Sequence, residues 1–225
     1  MYNFGGIVYP VQLRKIPFIR IEDVFAKANP ATGVITVNAV IQNSHQERCE
    51  GHIQASVLPQ GDSIVITHTG QKAGFNPGEN TVRFEFHLDQ PHLWGTDHPY
   101  LYVVEVETEY SLSGRFYRDK HLVRCGFRDF RVKNGYFYLN GKRIFLRSTH
   151  TGNHYPVGWT VPHDWEYLRR DLYFAKACGF NTVRFITTPA YPEQLDFCDE
   201  LGLLVIESSA ASWCLEDSPQ MQTRY

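Results

Sequence analysis

His150 and His154 stand four residues apart in Thr149-His150-Thr151-Gly152-Asn153-His154-Tyr155-Pro156, and His163 follows. On a helix that spacing puts two imidazoles on one face, so zinc is one reading of the set. The Gly and Pro of this run make it a loop, where the spacing imposes no common face. Solvated loop histidines, or hydrogen-bond donors to a polar ligand, are the other readings. Arg184 and Thr187 close the run Asn181 to Thr187, Glu207 follows the apolar Leu203 to Ile206, and Trp213 lies beyond it. An arginine in such a place binds substrate or keeps a neighbouring carboxylate ionised by its charge. Glu207 is either a binding acid or a buried carboxylate paired with a neighbouring strand. Trp213 can stack on a ligand ring or cap the fold, since its ring has an apolar face and a polar edge.

These side chains meet only if the backbone delivers them to one end of a sheet. After two turns, at Asn134-Gly135 and Asn140-Gly141, the pattern from Gly126 onward becomes strand then helix. Ile144 to Arg147 reads as a short apolar strand. Trp165, Leu168, Leu172 and Ala175 fall at helical spacing, with Gly179 placed to end that helix. Asn181 to Ile186 is the next strand, Pro192 opens and Gly202 closes the next helix, and Leu203 to Ile206 is the third strand. Short connections between alternating strands and helices mean parallel strands with crossover helices. In a closed barrel of this type the working residues sit at the C-terminal strand ends. His150, His154, Arg184, Thr187, Glu207 and Trp213 are therefore expected to face one opening. A closed barrel takes ~250 residues, so the stretch from Gly126 to Tyr225 holds about three of its eight units and leaves a strand edge open.

Upstream the period is two. Ile35, Val37, Ala39 and Ile41 share one face, as do Val82, Phe84, Phe86 and Leu88, while Tyr102, Val104 and Val106 alternate with Glu105 and Glu107. Pro59 to Asp62, Asn76-Pro77-Gly78 and Ser113-Gly114 punctuate these runs. This is an antiparallel sandwich of about 100 residues, whose aromatics read as core or, alternatively, as an exposed binding platform.

Composition removes several partners. The 225 residues carry 22 Lys+Arg against 24 Asp+Glu, a formal charge of −2, and no block of like charge that would suit nucleic acid or an anionic membrane. No apolar stretch approaches the roughly 20 residues of a membrane helix, and Met1 to Gly6 lacks a charged-then-apolar leader; localisation stays open. Five widely spaced cysteines without a C-x-x-C point to free thiols.

Four strings then line up with one family. Gly126 to Arg147, G-F-R-D-F-R-V-K-N-G-Y-F-Y-L-N-G-K-R-I-F-L-R, resembles the sandwich-to-barrel junction of glycoside hydrolase family 2, the group of β-galactosidases, β-glucuronidases and β-mannosidases. Trp94 with Pro99-Tyr100-Leu101-Tyr102 is similar to that family's W…P-x-L-Y. Arg170-Asp171 to Lys176 and Asn181 to Arg184 are similar to its R-D-x-x-x-x-K…N-x-V-R. Gly5-Gly6-Ile7 through Leu13 resembles the close of its N-terminal jelly-roll domain. The resemblance implies a multidomain chain, β then α/β. Its parts are residues 1–13 as the tail of a jelly-roll sugar-binding domain, 14–125 as an immunoglobulin-like β-sandwich, and 126–225 as the start of a (β/α)₈ TIM barrel.

The same resemblance implies hydrolysis of O-glycosidic bonds with retention. The acid/base and nucleophile glutamates are expected beyond Tyr225, so no catalytic residue is named, and the chain alone is expected to be an inactive fragment of an active parent. No organic cofactor is implied. The positions of the magnesium ligands of some relatives read Ser212 and Cys214, so no metal is expected. The expected partner is a β-glycoside carbohydrate, with no nucleic acid and no membrane, and a homo-oligomer is open. Departures cluster at the sugar pocket: Gly152 and Thr187 stand where family histidines stand, and an acidic pair is reduced to Glu207-Ser208. They keep two rivals open, a non-catalytic carbohydrate-binding or scaffold protein with a remnant barrel, and a barrel enzyme for another substrate class.

Overall fold

A computed structural model describes residues 7, 11–155, 162, 164–186, 189–208 and 217–220. The chain forms two compact units, one within Tyr9–Trp94 and Tyr100–Phe130, the other within Gly95–Pro99 and Arg131–Tyr225.

The first unit carries β1 (Ile19–Asn29), β2 (Val34–Asn43), β3 (Cys49–Pro59), β4 (Thr67–Phe75), β5 (Gly78–His87), β6 (Tyr102–Leu112) and β7 (Arg115–Cys125). They make two antiparallel sheets, ordered β1-β2-β5 and β4-β3-β6-β7. Alternation fills the space between them. Ile35, Val37, Ala39 and Ile41 of β2 are wholly buried, and they pack in one core with Phe84, Phe86, Ile53, Val57, Val104 and Val106. Each such aliphatic or aromatic side chain contributes roughly 1.5–3 kcal/mol by leaving water. Glu107 departs from the pattern. Expected on the solvated face, it is 2% exposed because Arg118 of β7 lies against it and Gln54 of β3 donates to its Oε2 at 3.1 Å.

The second unit begins with β8 (Phe130–Lys133), β9 (Tyr136–Leu139) and β10 (Lys142–Ile144), a three-stranded sheet ordered β10-β9-β8. Its two Asn-Gly turns hold φ of 50° and 78° at each pair, the left-handed values a two-residue hairpin with right-handed twist requires. Then come β11 (Ser148–Thr151), α1 (Glu166–Ala177), β12 (Thr182–Phe185), α2 (Pro192–Leu201) and β13 (Leu204–Glu207). The sheet β11-β12-β13 is parallel throughout.

The first parallel strand is therefore Ser148–Thr151 rather than the apolar Ile144 to Arg147. Ile144 pairs with Phe137 in the hairpin sheet. Arg147 is occupied by Asn181, exchanging N–H to Oδ1 at 2.9 Å and N–H to O at 3.1 Å, and its Nε reaches the Gly179 carbonyl at 2.8 Å. The helices fall where their signals put them. Leu168 and Leu172 are the buried residues of α1, and Gly179 follows it at φ 87°. Pro192 opens α2, where its missing N–H costs no bond, and Gly202 ends it at φ 71° and ψ 46°. Leu172, Val183, Phe185, Cys198 and Leu203 form the core between sheet and helices, with Tyr155, Leu168 and Tyr191 in a second cluster. No helix among the described residues is long and apolar enough to cross a membrane. Cys49, Cys125, Cys178 and Cys198 are free thiols.

Candidate functional site

The register of the parallel sheet decides which side chains share a face. His150 aligns with Arg184 and Ile206, while Thr151 aligns with Phe185 and Glu207. Phe185 and Val183 pack under the helices. His150 and Arg184, one step out of phase, project from the opposite face, the one that lines the interior in a barrel of this kind. Both are exposed. Arg184 Nε and Nη2 each stand 3.4 Å from Ser208 Oγ, so the guanidinium is aimed along the C-terminal edge, and Ser208 N–H continues the sheet by donating to Phe185 O at 3.0 Å.

Glu207 does not join them. It lies in register with Phe185, and its Oε1 accepts the Ala190 N–H at 2.7 Å, which ties the carboxylate to the loop between β12 and α2. His154 is exposed in the loop after β11, with its ring against Gly152: a Cβ on residue 152 would lie 2.8 Å from His154 Nδ1. The space a side chain at residue 152 would take is filled by the His154 ring. Thr187 and Trp213 lie outside the described residues, as do His163, Ser212 and Cys214. Of the six side chains expected at one opening, His150 and Arg184 share a face of the sheet, His154 lies in the adjoining loop, and Glu207 is in register with the other face.

Two residues absent from the expectations stand behind this loop. Asn153 and Gln194, 1% and 2% exposed, bind each other through their side-chain amides. The one local signal for Gln194 was its place three residues after Tyr191, from which its side chain can return to the first N–H of a helix. Beside them, burial first and then the charge of Asp171 push the Tyr155 phenol up to about 12. Burial also raises Tyr191, with Glu193 adding to it. Both rings therefore stay neutral hydrogen-bonding groups at ordinary pH.

A cavity of about 330 Å³ runs beside β11, between Thr149, His150, Thr151, Leu172 and Phe174. It is open to the helix side of the sheet, since Thr149 and Thr151 share the face of Val183 and Phe185. Among the described residues no three His, Cys, Asp or Glu gather as a metal cluster.

A two-sheet antiparallel sandwich followed by parallel strand-helix units, with polar groups at the strands' C-terminal ends, is the architecture of a β-sandwich joined to the opening of an α/β barrel. The sequence profile of the glycosyl hydrolases family 2 domain matches residues 19–128, and that of the family's TIM barrel domain matches residues 130–220. The chain belongs to glycoside hydrolase family 2. A protein of Formosa agariphila, whose β-glucuronidase name is itself provisional, is 32% identical over 219 residues, 95% of this chain and 25% of that protein. A β-galactosidase of Alteromonas mediterranea is 29% identical over 218 residues, 93% of this chain and 20% of that protein. Bacteroides uniformis β-glucuronidase 2, solved with a covalently bound cyclophellitol-6-carboxylate aziridine, superposes with a TM-score of 0.80 at 20% identity. The match covers 92% of this chain and 26% of that one, and shows likeness of fold. The chain spans a fifth to a quarter of the length of the curated relatives it matches.

Proposed function

We propose that the protein containing this chain is a retaining β-glycosidase acting on a β-glucuronide, β-galactoside or related β-glycoside. In this reading residues 1–13 end a jelly-roll domain, 14–125 form the sandwich, and 126–225 open the catalytic barrel. The observation that carries it is the pairing of His150 with Arg184 on the inward face of three parallel strands, in a chain matched in order by both family domains. The chemistry needs a carboxylic acid that protonates the leaving oxygen and a carboxylate ~5–5.5 Å away that attacks the anomeric carbon; water then opens the covalent intermediate. Both glutamates belong, by the family resemblance, to later barrel strands.

This chain's part is to bind and orient. His150, His154, Arg184, Thr187 and Trp213 are the proposed sugar contacts, and Glu207 is proposed to support them from the strand end. Imidazole and guanidinium donors meet hydroxyl or carboxylate oxygens, and the indole offers a stacking face. Glu207, accepting from Ala190, acts there by holding the β12–α2 loop. Gly152 and Thr187, in place of the family's histidines, favour a substrate recognised differently from those of well-known members. They also favour the second reading, a non-catalytic carbohydrate-binding protein.

The test is an assay of the full-length gene product and of residues 1–225 on chromogenic β-glucuronides, β-galactosides and β-mannosides. Turnover by the full-length protein with a silent fragment supports the proposal. A full-length protein that binds these sugars without turning any over supports the second reading.

A further inference from the structure

Asn153 Nδ2 donates to Gln194 Oε1 at 3.1 Å, and Gln194 Nε2 donates to Asn153 Oδ1 at 2.9 Å. Each oxygen takes a second donor: Gln194 Oε1 accepts the Tyr191 N–H at 3.0 Å, and Asn153 Oδ1 accepts the Tyr155 hydroxyl at 3.3 Å. A backbone N–H can only donate, so the Tyr191 amide dictates which end of Gln194 is oxygen, and the orientation of Asn153 follows from it. Both side chains are buried, so breaking either bond leaves a polar group with neither partner nor water. Asn153 holds φ 51°, a left-handed value that Asn tolerates, and sits between Gly152 and His154.

This amide pair is one end of a longer chain of bonds. Gln194 lies on the first turn of α2, directly after the Ala190 amide that Glu207 holds, and Arg184 reaches Ser208. The loops after β11 and β12 and the end of β13 are thus tied together by side chains, at the end of the sheet where the proposed sugar contacts sit.

We infer that Asn153 and Gln194 are a positioning pair: neither touches the sugar, and together they set where the β11 loop holds His154 at the opening. The inference rests on reading that opening as the sugar site. It accounts for two buried amides that a loop held by hydrophobic side chains would not need, because apolar burial is non-directional and hydrogen bonds are not. A reciprocal amide pair with one oxygen held by the Tyr191 N–H admits one arrangement.

Asn153→Asp tests it. The substitution keeps the left-handed backbone and every acceptor, but replaces the N–H that Gln194 Oε1 receives with an ionised oxygen facing that oxygen. Protonation of the new carboxyl restores the donor, so the defect reverses in acid. With ring-labelled histidine in the 225-residue chain, the His154 signal of the variant is expected to depart from wild type at neutral pH and rejoin it at acid pH, while the methyl signals of Leu172 and Val183 stay in place. Gln194→Glu puts the same defect on the other partner and serves if the first variant does not fold.

In the full-length gene product, Asn153→Asp is expected to raise KM about tenfold at neutral pH with kcat nearly unchanged, and to recover as pH falls; loss of folded protein would lower kcat alone. A His154 signal equal to wild type at every pH, or a kcat loss without a KM change, overturns the inference. A wild-type full-length protein silent on all glycosides overturns the glycosidase reading instead, and the histidine measurement still decides the pair.

Discussion

Gly202 and Lys176 meet at one carbonyl, and their substitutions are expected to interfere. Gly202 closes α2 in the left-handed region, and a Cβ there would run into the Thr96 carbonyl, within the same unit. The Lys176 ammonium donates to that same Thr96 oxygen and to Gly202 O at 3.1 Å. Gly202→Ala adds left-handed strain and forces the Thr96 segment away, about 2–3 kcal/mol together. Lys176→Met removes two charge-assisted bonds, about 1.5–3 kcal/mol, offset in part because burial already disfavours the charged amine and lowers its pKa. Once alanine has displaced the Thr96 carbonyl, lysine has less to hold, so the double variant is expected to fall about 1 kcal/mol short of the sum, outside the ~0.3–0.5 kcal/mol within which independent sites add. The assay is urea unfolding of the 225-residue chain, followed by the fluorine signal of 5-fluorotryptophan at Trp165, a probe inside the second unit, so that loss of the sandwich does not enter. Free energies that add within error would refute the shared carbonyl as the reason this position is glycine.

Tyr155→Phe separates burial from hydrogen bonding. The folded phenol titrates at about 12 against an ordinary value of 10, so the folded state keeps its proton longer. Stability from this group is complete below pH 10 and is lost as pH rises towards 12; the phenylalanine variant is expected to lose less over that window in pH-dependent urea melts. Arg118→Met leaves the Glu107 carboxylate buried, with the Gln54 amide donating to it and Lys120 opposite it on β7. Because the Arg118 side chain is 57% exposed, the cost is expected at about 2 kcal/mol, below the ~3–5 kcal/mol of a fully buried pair, and Glu107→Gln on the same background should recover most of it in thermal melts.

How far the fold could be read from the chain depended on whether its forces were local. Ile35, Val37, Ala39 and Ile41 alternate because a half-buried strand has a period of two, and all four are buried. Pro192 and Gly202 bound α2 through backbone restrictions that belong to those residues alone. Ser148–Thr151 escaped because its four residues are polar: its membership of the sheet comes from bonds to β12, and the apolar Ile144 beside it was claimed by the hairpin. Glu107 escaped for the same reason, since Arg118 covers it from another strand. At the site, Arg184 was legible as a polar residue near the end of its strand, whereas His150, read as a loop residue, lies within β11. The Asn153–Gln194 pair was not legible: an amide-to-amide bond across 41 residues leaves no periodicity in either segment.

The most direct test of the glycosidase reading is to trap its intermediate. A retaining enzyme attacks the sugar with a carboxylate, so a fluorinated slow β-glycoside incubated with the full-length gene product should leave a covalent glycosyl mass on one peptide. The expected site is a glutamate beyond Tyr225, with residues 1–225 unmodified. A glycosyl adduct on a residue between 1 and 225, or hydrolysis that releases the inverted anomer with no adduct, would contradict it.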